Sequence, residues 1–419
     1  MKVAVIGGGI IGITTAYELA MDGHEVTVFE RRSAAAEETS FANAGIVAPG
    51  YVTPWAAPGM PGKLLSYLFS RHSPIRLSLP LSGQELAWMW KWVRACKLET
   101  YLANRARLQR LAFYSHHRLR LLSAQRELDY ERSEGYLVLL RSEKDSLLIE
   151  PGLQVLREAG VAFRQINAEE VRRIEPALNP GTDLLGAVHL PDDEAANCRQ
   201  FALLLKDEAR QLGVDFQFNT TVAQLERAHS ATLLIAGEDS PRRFDSVVMC
   251  AGLASADLLK PLGLHIPLAA VYGYSISAPI RESLNAPRSA LMDERYKVAI
   301  TRLGNRVRVA GTAELGGSLA RKRDDALNTL YKVLQDWFPG AAQLQSATSS
   351  LQVWKGARPM LPDGPPLIGQ SGLPGLWLNL GHGSSGWALS CGSARALADL
   401  MAGQAPEIDM EGLDLSRLG

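Results

Sequence analysis

The chain has 419 residues, 47% hydrophobic and 21% charged, with 44 Lys and Arg balanced by 44 Asp and Glu. That length calls for two domains or one large composite, and the zero net charge argues against a dedicated nucleic-acid binder. Four cysteines (Cys96, Cys198, Cys250, Cys391) form no Cys-x-x-Cys pair and eight histidines lack His-Glu-x-x-His spacing, so neither a disulfide framework nor a metal site is expected.

No run of about 20 apolar residues occurs, so no membrane-spanning helix is expected. The N-terminal apolar run is broken by glycines and does not read as a signal peptide. Residues 2–30, KVAVIGGGIIGITTAYELAMDGHEVTVFE, read as strand, glycine turn, helix and second strand. Val3 to Ile6 form the continuous apolar run of a buried parallel strand. Gly7, Gly9 and Gly12 then give G-x-G-x-x-G, and Ala16, Leu19 and Ala20 keep helical spacing up to Gly23. Glu30 stands at the end of EVTVF. Gly7 makes the turn, Gly9 lets backbone approach a pyrophosphate, and Gly12 lets helix pack on strand. The helix N-terminus faces the phosphates and the acid accepts ribose hydroxyls. Strand, helix and acid in register make this a dinucleotide site. Glu30 would repel the extra phosphate of NADP; Arg31 and Arg32 beside it face either adenine or solvent. This unit alone leaves NAD and FAD undecided.

Residues 38–59, ETSFANAGIVAPGYVTPWAAPG, replace the third strand of a nicotinamide enzyme with a long Pro/Gly-rich path, which is uncommon unless it binds something. Ser40, Asn43, Ala44 and Gly45 are small enough for backbone amides to approach a ligand. Residues 60–126 carry twelve Lys or Arg against Glu85 and Glu99, interleaved with Tyr67, Phe69, Trp88, Trp90, Trp92, Tyr101, Phe113 and Tyr114. Two readings stand for this basic helical segment: a membrane-surface face, or a solvated face balanced by acids elsewhere in the fold.

Further along, Phe201, Leu204, Leu205, Ala209 and Leu212 recur at helical spacing. Residues 214–226 read as a strand hairpin that brings Val222 to an adenine. Residues 244–252, FDSVVMCAG, read as a buried strand ending at Ala251 and Gly252, where backbone can approach a pyrophosphate. Residues 266–278, 296–304 and 305–315 read as strands of a largely antiparallel sheet, with a turn at Gly304-Asn305. In QVWKGARPMLPDGPPLIG, residues 352–369, prolines and glycines hold Arg358 rigidly. Leu376 to Leu380 then form a strand, GHGSSG a turn, and a helix runs from about Trp387 to Met401.

TSFANAG, PGYVTPWAAPG, YKVAITRLGNRVRVAGTAEL and GARPMLPDGPPLIG resemble the small, FAD-binding bacterial D-amino-acid dehydrogenases of the D-amino-acid oxidase-like superfamily, over nearly the whole chain. The resemblance implies an α/β protein: a Rossmann-like FAD-binding domain built from residues 1–48, 180–258 and 352–419, and a mixed, mainly antiparallel substrate domain from 49–179 and 259–351. It implies that Ile10, Ile11, Glu30, Arg31, Ser40, Asn43, Ala44, Gly45, Val222, Ala251 and the turn Gly381, His382, Gly383, Ser384, Ser385, Gly386, Trp387 contact FAD. Gly7, Gly9, Gly12, Arg32, Ile46 and Gly252 complete that set. No position matches the flavin-attaching His or Cys of some relatives, so FAD is expected to be noncovalent. The helix after the turn would stabilise negative charge on the reduced flavin ring.

The activity implied is oxidative deamination of a D-amino acid to a 2-oxo acid and ammonia, by hydride transfer to flavin N5, with electrons passed to a quinone or other non-oxygen acceptor. Arg358 matches the carboxylate-binding arginine, which aims the substrate Cα–H by a bidentate pair. Tyr272 and Tyr274 either hydrogen-bond the substrate or pack in the sheet, Tyr51 and Trp55 wall the pocket, and His382 serves through its backbone. Ser384 stands where some glycine-oxidising relatives carry a second arginine. The rival readings are an oxygen-using glycine or amine oxidase, a subunit of a larger amine-oxidising flavoprotein, and a non-catalytic dinucleotide-binding regulator. The expected location is the cytoplasm, at the inner face of the inner membrane if residues 60–126 dock there.

Overall fold

The computed structural model describes residues 1–68, 72–226, 231–342, 344 and 350–418, with residues 65–68 as backbone. Its first sheet has six strands in the order Leu367–Gln370, Leu376–Leu380, Ser246–Met249, Lys2–Ile6, Glu25–Phe29 and Asp215–Gln217. All neighbours are parallel except the antiparallel pair Leu367–Gln370 and Leu376–Leu380. The three neighbouring strands Leu376–Leu380, Ser246–Met249 and Lys2–Ile6 are largely buried on both faces, which is why they read as mostly apolar runs. Helix Ile10–Met21 packs against helices Cys198–Gln211 and Gly386–Met401, and the last of these also packs on the long helix Leu98–Gln125.

Where these helices meet, the buried Glu18 accepts from Arg118 and from Arg395, each at 2.9 Å. One carboxylate thus ties the N-terminal, long and C-terminal helices together.

The second sheet has ten strands. Its main path is Gln352–Met360, Ala269–Pro279, Arg306–Gly316, Val298–Leu303, Ala290–Asp293, Ser133–Leu140, Gly186–Ala195 and Ile46–Val47. Ile75–Ser78 and Arg164–Asn167 pair alongside. Most pairs are antiparallel, with parallel pairs at Ala290–Asp293/Ser133–Leu140 and Arg306–Gly316/Ile75–Ser78. Helix Asp324–Trp337 covers one face through Leu330, Val333 and Leu334. The turn at Gly304 has φ +55°.

Three segments expected in the nucleotide-binding pieces are hydrogen-bonded into this second sheet instead: Ile46–Val47, Gly186–Ala195 and Gln352–Met360. The last pairs residue for residue with Ala269–Pro279, so the chain crosses to the nucleotide sheet only after Met360. The hairpin expected at 214–226 is also divided. Asn219 adopts φ +54°, which breaks the extended run. Asp215–Gln217 joins the nucleotide sheet, and Val222–Leu225 begins a separate three-stranded antiparallel sheet.

The basic segment holds the helices Gly83–Ala95 and Leu98–Gln125. The first opens with a capping box between Ser82 and Glu85. Arg76, Arg107, Arg110, Arg118 and Arg126 pair with Asp325, Glu411, Asp409, Glu18 and Glu208. Trp88 and Trp92 are buried. Phe69 and Arg71 lie outside the described residues, as does the side chain of Tyr67. Among the described residues no helix is long and apolar enough to cross a membrane, and no cluster of His, Cys, Asp and Glu could hold a metal. All four cysteines are free and buried.

Replacing Glu18 with Ala leaves two arginines facing each other without their shared acceptor. The expected loss is about 2–3 kcal/mol, below the roughly 3–5 kcal/mol of a fully dry pair because both arginines keep some solvent contact. Denaturant unfolding of the variant checks it: the midpoint falls with little change in slope.

Candidate active site

Strands Lys2–Ile6, Ser246–Met249 and Leu376–Leu380 lie side by side and parallel, so their carboxyl ends share one edge of the sheet. A cavity of about 270 Å3 opens there. Gly7 turns with φ +110°, and a Cβ on it would stand 2.5 Å from the Cys250 carbonyl oxygen. A Cβ on Gly12 would stand 1.8 Å from the Gly7 oxygen, so helix and turn meet with no room for a side chain. A Cβ on Gly9 would meet Ser40 Oγ at an ordinary 3.5 Å, and Gly9 faces the cavity. The three glycines therefore serve as turn, close contact and open approach. The helix that follows has no acidic residue in its first turn, and its Ile10 amide donates to Ser40 Oγ at 3.1 Å. Its positive end is free for an anion.

Glu30 sits on the rim, its two oxygens accepting from the backbone amides of Gly8 (2.7 Å) and Arg32 (2.8 Å). Arg31 and Arg32 both turn onto Glu38, at 2.7–2.8 Å. The two arginines beside the acid are thus neutralised locally. Gly7, Gly9, Ile10, Ile11, Glu30, Arg31 and Ser40 line one side of the cavity. Val222, Ala251 and Gly252 line another, and Gly381, His382, Gly383 and Gly386 close the end.

The other expected contacts do not line it. Gly12 is packed behind the turn, and Arg32 is drawn away by Glu38. Asn43 accepts from the Gly45 amide and, through its carbonyl, from Arg308, so Asn43, Ala44, Gly45 and Ile46 lead toward the large sheet. Trp387 is core, against Phe201 and Tyr130. Ser384 and Ser385 border a smaller cleft with Thr53, Trp55, Met360 and His382. His382 is buried, and burial pushes its pKa down to about 3. Its imidazole is neutral at ordinary pH, Nε2 lies 3.0 Å from Ser393 Oγ, and its backbone bridges to Met360.

Sequence reasoning missed Asn379. This buried residue lines the cavity, donates from Nδ2 to Thr15 Oγ1 at 2.9 Å, and leaves Oδ1 without a partner among the described residues. Its signal was a lone amide in the apolar strand LWLNL.

The strand carrying Arg358 borders the same cavity. Thr39 and Pro359 line it, and the Thr39 hydroxyl donates to the Ala357 carbonyl at 2.7 Å. The Arg358 guanidinium lies over Gly273 of the neighbouring strand, where a Cβ would meet Nη2 at 2.3 Å. Nη1 donates to the Thr312 carbonyl at 3.0 Å, and the ring of Trp55 stands 5.7 Å from Cζ. No carboxylate pairs with it among the described residues, and desolvation brings its pKa down to about 10. Thr312 holds φ +60°, an outlier for a β-branched residue, at a bulge where the register between Ala269–Pro279 and Arg306–Gly316 shifts. The bulge brings that carbonyl to the guanidinium. Gly273 also escaped sequence reasoning, although glycine inside a strand marks a bulge or a close approach.

The tyrosines are not part of this arrangement. Arg358 is paired with Val271, so strand alternation puts Tyr272 and Tyr274 on the opposite face of the sheet. There Lys355 lies over both rings, and Tyr274 donates to Glu314. Tyr51 donates to Glu294 at 3.1 Å and packs edge-on against Tyr136, within the core beside helix Glu143–Glu158. Trp55 lies beside Arg358 and borders the smaller cleft.

A nucleotide cradle whose edge meets a second, mainly antiparallel sheet defines a two-domain dinucleotide-binding protein. The chain belongs to the DAO family of FAD-dependent oxidoreductases, whose pattern matches residues 2–400. It is similar in fold to the glycine oxidase of Geobacillus kaustophilus, at 20% identity with a TM-score of 0.75, covering 99% of this chain and 98% of that one. Iminodiacetate oxidase of Chelativorans sp. BNC1 is 22% identical with a TM-score of 0.73, covering 98% of each chain. L-proline dehydrogenase of P. horikoshii is 17% identical with a TM-score of 0.72, covering 100% and 97%.

The cofactor is therefore FAD, and the residues present fit it. The open turn at Gly9, the acid at Glu30 and the unpartnered Asn379 Oδ1 suit a pyrophosphate, a ribose and a hydrogen-bond donor in turn.

Gly273→Ala tests the space beneath Arg358. Its Cβ displaces the guanidinium while the cradle is untouched, so FAD content and thermal midpoint stay near wild type. Affinity for small carboxylates, followed through the flavin spectrum, falls by at least ~10-fold, as expected when a positioning group moves by about 1 Å.

Proposed function

We propose that the chain oxidises the α-amino group of a D-amino acid, releasing a 2-oxo acid and ammonia after imine hydrolysis, and passes electrons to a quinone or other carrier rather than to oxygen. The observation that carries the reading is the guanidinium of Arg358, without an acidic partner among the described residues, on the strand whose Pro359 lines the FAD cavity. A half-buried cation without an acidic neighbour among the described residues suits an anionic ligand, and a fork suits a carboxylate bidentately. The D configuration and the non-oxygen acceptor rest on the likeness of TSFANAG, PGYVTPWAAPG and GARPMLPDGPPLIG to the bacterial D-amino-acid dehydrogenases.

FAD, when bound, accepts the electron pair and hydrogen that leave the substrate Cα. The chain supplies orientation. Gly7, Gly9, Ile10, Ile11, Glu30, Ser40, Asn379, Gly381, His382, Gly383 and Gly386 would hold the cofactor. Arg358 anchors the carboxylate, Thr312 fixes one arm of its fork, and Trp55 lies beside it. The neutral His382, engaged with Ser393, is no base for Cα. Direct hydride departure needs none.

An oxygen-using glycine or amine oxidase shares this site and differs in its electron outlet; the glycine and iminodiacetate oxidases of similar fold favour it as the second reading. Anaerobic mixing with D- and L-amino acids and glycine separates the cases. Flavin bleaching by D-amino acids, then fast reoxidation by a quinone and slow reoxidation by oxygen, is the expected result; rapid peroxide formation selects the oxidase.

Arg358→Lys should keep FAD and weaken substrate binding by about 2–5 kcal/mol, because a lysine lacks the fork. An unchanged KM would remove Arg358 from the site. The pH dependence has a definite sign. The free enzyme binds carboxylate only while Arg358 is protonated, so carboxylate affinity is flat well below pH 10 and declines as pH rises through about 10. Inhibition constants of non-amine carboxylates measured across that range check it.

A further inference from the structure

Helix Gly83–Ala95 has two faces of opposite character. Trp88 and Trp92 are buried against Val271, Leu315 and Met360. On the other side Leu86, Trp90 and Val93, spaced i, i+4, i+7, are 56%, 65% and 41% exposed. An indole two-thirds in water at the middle of an apolar stripe is unusual for a surface with no partner. The chain then runs through Lys97 to Leu98 and Leu102, one turn apart and also exposed.

Lys91, Arg94 and Lys97 flank the stripe, all exposed and all without an ion pair among the described residues. This separates them from Arg107, Arg110 and Arg118, whose charges the fold uses internally. Glu85 is committed to the helix cap, which leaves Glu99 as the acid nearby in sequence.

We infer that this face docks the protein on an anionic lipid surface, with Leu86, Trp90 and Val93 entering the boundary between headgroups and acyl chains while Lys91, Arg94 and Lys97 meet lipid phosphates. An apolar stripe with tryptophan, rimmed by cations, is the composition of an interfacial helix. A second copy would also cover the stripe, but a two-fold contact would bring the same cations together without acids to answer them. The inference is independent of the catalytic reading, since it concerns where the protein sits. It bears on the electron outlet: Trp88 Nε1 donates to the Met360 carbonyl at 2.9 Å, so one helix, roughly 10 Å across, separates the docked face from the Arg358 strand.

The test is sedimentation of the FAD-loaded full chain with vesicles of phosphatidylcholine plus phosphatidylglycerol, and of phosphatidylcholine alone. The wild type is expected to bind the first at low salt and to release as salt rises. The triple variant Lys91→Gln, Arg94→Gln, Lys97→Gln loses on the order of a hundredfold in affinity, at about one kcal/mol per cation near an anionic surface. Trp90→Ser loses on the order of tenfold. Phosphatidylcholine with brominated chains, mixed with phosphatidylglycerol, quenches part of the wild-type tryptophan emission, and that quenching disappears in Trp90→Phe. All substituted residues are exposed, so FAD content and thermal midpoint should match wild type; Leu86→Ser replaces Trp90→Ser should the latter lose flavin. Absence of vesicle binding at low salt, or equal binding by wild type and the triple variant, overturns the inference. So does a dimer in solution that Trp90→Ser dissociates, because a second copy then covers the stripe.

Discussion

The nucleotide site depends on one constraint: three parallel strands, Lys2–Ile6, Ser246–Met249 and Leu376–Leu380, are neighbours and end on the same edge. Parallel neighbours require long returns of chain, and here those returns contain the whole ten-stranded sheet. The cavity lies where ligands collect in open α/β sheets, outside the carboxyl ends. The turn after the first strand must then clear the end of the second. That is why Gly7 takes φ +110° against the Cys250 carbonyl and Gly12 sits where a Cβ would strike the Gly7 oxygen. The end of the third strand supplies the wall through Asn379 to Gly383, and its antiparallel partner Leu367–Gln370 is reached directly from the Arg358 strand. The same constraint that creates the nucleotide cavity therefore brings the strand carrying Arg358 to its border, through Pro359.

The nucleotide half was legible because its chemistry is local. Glycines, helix and acid lie within thirty residues, and each has a steric or electrostatic duty that few other residues can perform. Arg358 was legible through the rigidity around it and the likeness of its segment to a known family. What stayed hidden depends on pairing between distant strands. Gly273 and Thr312 matter because the Ala269–Pro279 strand pairs with Gln352–Met360 on one side and, with a bulge, with Arg306–Gly316 on the other. The same register decides that Tyr272 and Tyr274 point away from Arg358, which no count along the local sequence could give. A side chain's face is set by its partner strands. The basic segment was ambiguous for a related reason. Twelve cations in one segment look alike until the fold pairs five of them with acids outside it.

The two faces of the large sheet explain why Arg358 stands without an acid among the described residues. On the far face Lys355 and Glu314 form an ion pair at 2.7 Å, both almost fully buried, with Tyr274 and Ser78 also bonded to the carboxylate. Such a pair offsets its desolvation only when its remaining hydrogen bonds are met, and here they are. Glu314 lies two residues from Thr312, whose carbonyl receives Arg358, so an acid stands close in the chain to the arginine's own partner. The bulge and the pleat send that acid through the sheet to Lys355 and give Arg358 a single carbonyl instead. A carbonyl dipole and a tryptophan face stabilise a guanidinium less than a carboxylate does, and desolvation holds the pKa of Arg358 down. A positive φ at a buried threonine adds about 1–3 kcal/mol of strain to hold that carbonyl in place. Folding bears both costs because neighbouring strands over-determine the position. Under the proposed function an anionic ligand would supply the missing half, so that energy withheld from the fold would be available to binding.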